Sequence, residues 1–220
     1  MISEIAYQLV KSVVNSVTFI DKWGGLVMPM KKSVNKIEKV LPVFVNSKDT
    51  CNVSDLMDLV PDSTKKSICY CEKITDVRLE YLNANTFLAN ADLRVILWYN
   101  LNLTHNGDYL DEGVLAHNII SNLPNRLSNT LFAYCKNVHI YPIGSTSGAD
   151  LFSKYSYDEV RTQFVTFPYG AIAIDVNVQY TINSCAADLT PESACGFPPY
   201  VPTPPEENIN FDYEFDFNVQ

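Results

Sequence analysis

"FPYGAIAIDVNVQYTINSC", Phe167 to Cys185, is the most regular stretch of the chain. Ile172, Ile174, Val176, Val178, Tyr180 and Ile182 alternate there with Ala173, Asp175, Asn177, Gln179 and Thr181. A period of two held over so many positions predicts a long β-strand with one apolar and one wettable face. Such a strand needs partners at its edges and a layer over its apolar face.

The partners lie upstream. "ICYCEKITDVRLEYL" (68–82) and "ADLRVILWYNLNL" (91–103) read as two longer strands. In the second, Leu93, Val95, Leu97, Tyr99, Leu101 and Leu103 share a face, while Asp92, Arg94, Asn100 and Asn102 share the other with Ile96 and Trp98. That pattern predicts a strand buried on one side and partly covered on the other. "LPVFVN" (41–46) and "NVHIYPIG" (137–144) are shorter strands. The stretch "NVSDLMDLVPDSTKKS" (52–67) fits one or two helical turns or an irregular insertion, and Asn106-Gly107 fits a hairpin tip or a link to a helix.

Two segments carry the helical rhythm. Ile2, Ile5, Ala6, Leu9, Val10, Val13, Val14 and Val17 recur at i, i+3, i+4. From Asp111, Leu115, Ile119, Ile120, Leu123 and Leu127 do the same; Asp111 and Glu112 suit the positive N-terminal end, and Pro124 is a breaker. The expected fold class is therefore α+β, an antiparallel sheet with two helices packed on one face, over residues 1–185.

Residues 186–220 differ in kind. Half of the 12 prolines fall there, at Pro191, Pro198, Pro199, Pro202, Pro204 and Pro205. The end, "INFDYEFDFNVQ", sets Ile209, Phe211, Tyr213, Phe215, Phe217 and Val219 against Asn210, Asp212, Glu214, Asp216 and Asn218. It reads as an extended arm whose tip adds as a strand to a sheet edge, in its own subunit or a neighbour's.

The net charge of -9 is concentrated at this end, since no Lys or Arg follows Arg161 while eight acidic residues do. The body, residues 1–161, is left with about one net negative charge. A near-neutral body and an acidic arm offer no field to hold nucleic acid. Glu4, Gln8 and Lys11 interrupt what would be the apolar run of a signal peptide, and no stretch is long and apolar enough for a membrane span. Six cysteines are too sparse for a disulfide scaffold, so reduced thiols are the expectation; Cys185 and Cys195 flank a short loop and are the pair placed to bridge in an oxidising medium. Cys69 and Cys71 share a strand face but have no second pair to complete a zinc site.

No catalytic motif is present. His105, His117 and His139 form no metal-ligand pair, and "GSTSG" (144–148) has Thr146 where a nucleophile elbow needs serine. A hydrolase using Ser145 or Ser147 with His139 is the enzymatic alternative, lacking an assigned carboxylate. A carbohydrate- or protein-binding module with Trp23, Trp98 and the tyrosines as its platform is the other. No cofactor and no metal are expected. Subunit-interface candidates are Trp98, Arg161, Tyr169, Asp175 and the arm aromatics Phe211, Tyr213, Phe215 and Phe217; Arg161 equally suits a local ion pair with Asp158 or Glu159.

The order of an amphipathic helix, "VLPVFVN", "ADLRVILWYNLNL", a second helix and "FPYGAIAIDVNVQYTI" is similar to that of the head-to-tail connector and tail-completion proteins of tailed bacteriophages, the tail terminators above all. The Asn- and Tyr-rich style of "YGAIAIDVNVQYTINSC" resembles ring proteins of crAss-like phages. The resemblance covers residues 1–185 and carries no catalytic residue. It implies a virion protein made in the host bacterial cytoplasm, assembled as a sixfold or twelvefold ring in the neck or tail. Its partners would be its own copies and adjacent connector, portal or tail proteins, with DNA only passing through the channel and no membrane involved.

Overall fold

The computed structural model describes residues 2–34, 36–45, 56–83, 85–128, 135–156 and 166–183. The arm, Arg161 and the cysteines of the proposed bridge lie outside them. In chain order the elements are α1 (Ile2–Ser16), β1 (Lys22–Leu26), β2 (Met28–Val34), β3 (Ile37–Val45), β4 (Leu56–Asp58), β5 (Ser67–Lys73), β6 (Arg78–Asn83) and β7 (Thr86–Asn100). There follow α2 (Leu101–Thr104), α3 (Glu112–Asn122), β8 (Arg126–Leu127), β9 (Cys135–Ser147), a 3₁₀ turn at Ala149–Phe152 and β10 (Tyr169–Asn183).

The expected α+β class is overturned. Among the described residues strand outweighs helix by 53% to 21%, and the main sheet is mixed. Its seven strands run in the order β1-β5-β7-β10-β9-β8, with β6 also paired to β7; β1 lies parallel to β5 and every other pair is antiparallel. A second, three-stranded antiparallel sheet is built from β2-β3-β4.

Alternation along β7 and β10 sorts the core into two layers. On one face Leu93, Val95, Leu97 and Tyr99 join Ile172, Ile174, Val176 and Val178 beneath α1 and α3. The helices present Ile5, Leu9, Val10 and Val13 from α1, and Leu115, Ala116 and Ile119 from α3. On the other face Ile96, Trp98, Ala171 and Ala173 pack with Val43 and Leu59 from the second sheet and its continuation, and with Leu151, Phe152 and Tyr155 around the 3₁₀ turn. Each large apolar side chain so buried contributes about 1.5–3 kcal/mol.

Local chemistry sets the ends of the elements. The Asn100 side chain accepts from the Asn102 N–H at 3.1 Å, turning the chain from β7 into α2, so the strand stops short of the expected Leu103. Asn106 (φ 52°) and Gly107 (φ 83°) then link α2 to α3 and make no hairpin tip. Asp111 caps α3, accepting from Gly113 and Val114 N–H at 2.8 and 3.0 Å. Leu123, preceding Pro124, is extended at ψ 134° and ends the helix. Tyr99 Oη donates to Glu112 at 3.1 Å, which ties the start of α3 to β7.

Gly170 faces Tyr99 in register, and a Cβ there would collide with the Tyr99 ring. Gly170→Ala is expected to cost about 1–3 kcal/mol through this overpacking. Urea unfolding should show a lower midpoint at an unchanged m-value.

Candidate assembly surface

Where the second sheet stops covering the main one, the face carrying Ala171 and Ala173 continues as Asp175, Asn177 and Gln179, the wettable face anticipated from sequence. Register places Glu72, Arg94 and Asp175 side by side on β5, β7 and β10. Arg94 Nε and Nη2 donate to Asp175 Oδ1 and Oδ2 at 2.7 and 2.9 Å, a two-pronged pair at the edge of the covered region. Hydrogen bonding to Asp175 raises the Arg94 guanidinium above its already high value, against a smaller opposing effect of burial. Glu72, buried at the end of β5, accepts from Tyr155 Oη at 2.6 Å and from Lys154 Nζ at 3.2 Å. It thereby fastens the chain beyond the 3₁₀ turn to the sheet.

One step further along, Asn177 Nδ2 donates to Asn90 Oδ1 at 2.6 Å and to Asp92 Oδ1 at 2.7 Å, while Thr75 Oγ1 donates to Asp92 Oδ2 at 3.3 Å. Tyr141 stands opposite Asn177 on β9, and its ring stacks with that of His139 at 6.2 Å. The face is wettable, and its polar groups are matched largely to one another.

The two edges of the sheet differ from its faces. All six residues of β6 are exposed, with Leu79 59%, Tyr81 66% and Leu82 54% open, and β6 pairs only with β7 among the described residues. At the opposite side β8 pairs with β9 only at Val138 and His139, so Tyr141 to Ser147 has no outer partner among the described residues. Pro142 and the exposed Tyr141 and Ile143 lie on this open stretch. Proline is tolerated on such an edge because no neighbouring strand calls on its absent N–H.

Of the residues singled out from sequence, Trp98 is wholly buried within its own chain, stacked on Tyr169 at 5.7 Å and 19°. Its cover is the second sheet, where the sequence suggested a neighbouring subunit. Asp175 sits on the open polar face, paired with Arg94. Arg161, Phe211, Tyr213, Phe215 and Phe217 lie outside the described residues. Ser145 and Ser147 stand opposite Ile174 and Ile172, whereas His139 stands opposite Gln179. Six residues of extended strand, about 20 Å, separate His139 from Ser145, so the structure does not bring these residues together. The two serines instead border a shallow open cleft of about 240 Å³ beside Glu112 and Gly113 at the start of α3.

Trp23 packs its ring against Tyr7 at 5.3 Å, apart from Trp98 in the other core layer, so the two tryptophans form no common platform. Cys69 and Cys71 point together into the helix-covered core, where burial pushes both thiols well above their ordinary range. No group of metal-ligating side chains occurs among the described residues. No helix among them is long and apolar enough to cross a membrane.

Sequence reasoning missed Glu72 and the β6 edge. Leu79, Tyr81 and Leu82 were read as the end of one long strand; the break at Thr75 and Asp76, both ordinary turn residues, was the available signal.

Asp175→Ala is expected to cost about 1–3 kcal/mol, because it strands a partly buried guanidinium. Arg94→Met combined with Asp175→Ala should cost less than the two singles together by about 1–2 kcal/mol, read in a double-mutant cycle of urea unfolding. No protein-family model and no curated protein matches the chain significantly.

Proposed function

We propose that this chain is a structural virion protein that assembles with its own copies into a sixfold or twelvefold ring in the head-to-tail connector, the neck or tail, of a tailed bacteriophage. The observation that carries the reading is β6, a strand exposed along its whole length, with no outer partner among the described residues and bearing three large apolar side chains. A soluble chain that remained alone would hold such an edge as a liability, whereas one that assembles uses it. The polar sheet face supports the same reading. Arg94 there pairs with Asp175 and Lys154 with Glu72, while Asp92 is held by Asn177 and Thr75, an arrangement that suits a wall that DNA passes without sticking.

On sequence grounds the arm, residues 186–220, takes the role of contacting neighbouring subunits, and adjacent connector, portal or tail proteins are the further partners. The protein is made in the host cytoplasm and ends in the virion. It acts by assembly, without catalysis.

Light scattering and negative-stain electron microscopy test this directly. Ring-sized particles are expected from the purified chain or on addition of neck components. A strict monomer under both conditions would overturn the reading. Deleting residues 198–220 should weaken assembly and leave the thermal unfolding of the body unchanged.

A further inference from the structure

The self-assembly proposed above leaves open how one copy meets the next, and the sheet offers two unlike edges for the purpose. We infer that the outer side of β6 in one copy receives the open stretch of β9, Tyr141 to Ser147, from the next copy, so that the main sheet continues across the subunit boundary. The inference rests on that reading of the function and adds the joint through which it operates.

Strand direction is the first argument. β6 is antiparallel to β7, β7 to β10, and β10 to β9. β6 and β10 therefore run one way, β7 and β9 the other. A second copy in the same orientation brings its β9 alongside β6 with opposite direction, so the alternation continues without a break. The helix-covered face also stays on one side throughout.

Backbone groups supply the second argument. Gly148 N–H turns inward to Ala171 O at 3.4 Å, and alternation along β9 then sets the Ser145 and Ser147 N–H groups outward. They stand on the stretch that β8 leaves uncovered. The six residues of β6 match the seven of that stretch to within one residue.

Geometry supplies the third. Glu80 stands level with Thr181 of β10 through Leu88, and Gly144 stands level with Asp175. From 175 to 181 the two edges are offset by six residues of β10, about 20 Å along the strands. Crossing β6, β7, β10 and β9 covers about 19 Å at the usual strand spacing. Joining the edges thus tilts the strands by about 45° to the ring axis, close to the tilt at which closed β-barrels form. The joint is heterologous, with each copy giving one β6 and one β9, so a closed ring leaves neither of these two stretches open.

The competing arrangement is a two-fold pairing of β6 with β6 about Leu79, which would set Arg78 opposite Glu80 twice. It leaves the β9 edge uncovered in the product.

Cross-linking of the full chain separates these. Glu80→Cys and Thr146→Cys, which the joint places on one face of the sheet, are made singly, one with a size tag, mixed during assembly and treated with a short bismaleimide, with the unaltered chain as the background control. A mixed-size product of the two variants is expected, and the double variant should give a ladder of oligomers. A Glu80→Cys self-product without the mixed one would overturn the heterologous joint in favour of the two-fold. Particles that assemble but yield neither product would overturn it as well and leave self-assembly standing; a chain that stays monomeric would overturn both. As a second reading, Leu82→Lys places a charge on the edge and should raise the concentration for half-assembly by about tenfold or more, with the thermal unfolding of the body unchanged. Unchanged assembly in that variant would count against the joint.

Discussion

Fifteen-residue strands β7 and β10 pair without a bulge from Asn100 opposite Tyr169 to Thr86 opposite Asn183, and the rest of the described body takes its place from that ladder. A slip of one residue would exchange the two faces. Arg94 and Asp92 would then enter the layer under α1 and α3, while Val95 and Leu97 would leave it. Charged groups buried without partners cost several kcal/mol each, so the register is held by what it excludes as much as by what it packs. The facing pair of Arg94 and Asp175 adds a polar mark to the same register, because only this pairing brings the guanidinium fork onto the carboxylate.

The two faces of that ladder are finished differently. Helices cover one from end to end of its apolar rows, whereas the second sheet covers only the half around Trp98 and Ala173. The boundary is chemically sharp. Ala173 and Ile96 are buried on its near side, and Asp175 and Arg94 stand one position further on. Glu72 at this boundary binds Tyr155 and Lys154, so the segment after the 3₁₀ turn is held down at the line where apolar packing ends. A carboxylate this buried is stable only because both its oxygens are engaged.

Much of this was legible in the residues. Strict alternation marked β10, the Leu93 to Tyr99 rows marked β7, and i, i+3, i+4 spacing with Asp111 and Pro124 marked α1 and α3. The second sheet was not, and with it went the fold class. β2 and β3 are amphiphilic hairpin strands rich in lysine, and their turn uses Lys36 at φ 64° where a reader looks for Asn-Gly. β4 is three residues long, too short to show a period of two. β9 was underestimated because Pro142 and Gly144 punctuate it; at an edge both are tolerated, and an edge cannot be told from a loop by local sequence. Trp98 misled for the opposite reason. Its polar neighbours Asn100 and Arg94 suggested a face left open for another subunit, while the cover came from parts of the chain distant in sequence, Val43 and Leu59 upstream and Phe152 and Tyr155 downstream.

The same distinction between faces and edges governs association. Apolar rows of the sheet are buried within the chain, and the polar half of the open face is largely self-paired, so neither demands a partner. An edge is different, since its outward N–H and C=O groups are satisfied by water until another strand displaces it. Natural edges are blunted by lysine, proline or bulges, and the open stretch of β9 shows two of these, Pro142 and a register shift near Asp175 and Val176. They act on one part of the edge and leave Ser145 to Ser147 regular. β6 has neither proline nor lysine, and its charges, Arg78 and Glu80, cancel. An edge that attracts any strand would aggregate; one whose only well-matched partner is partly blocked can select its register. The blunted edge of β9 and the unguarded edge of β6 are complementary in that sense, and it is their inequality, more than the area either exposes, that favours a closed assembly over an open aggregate.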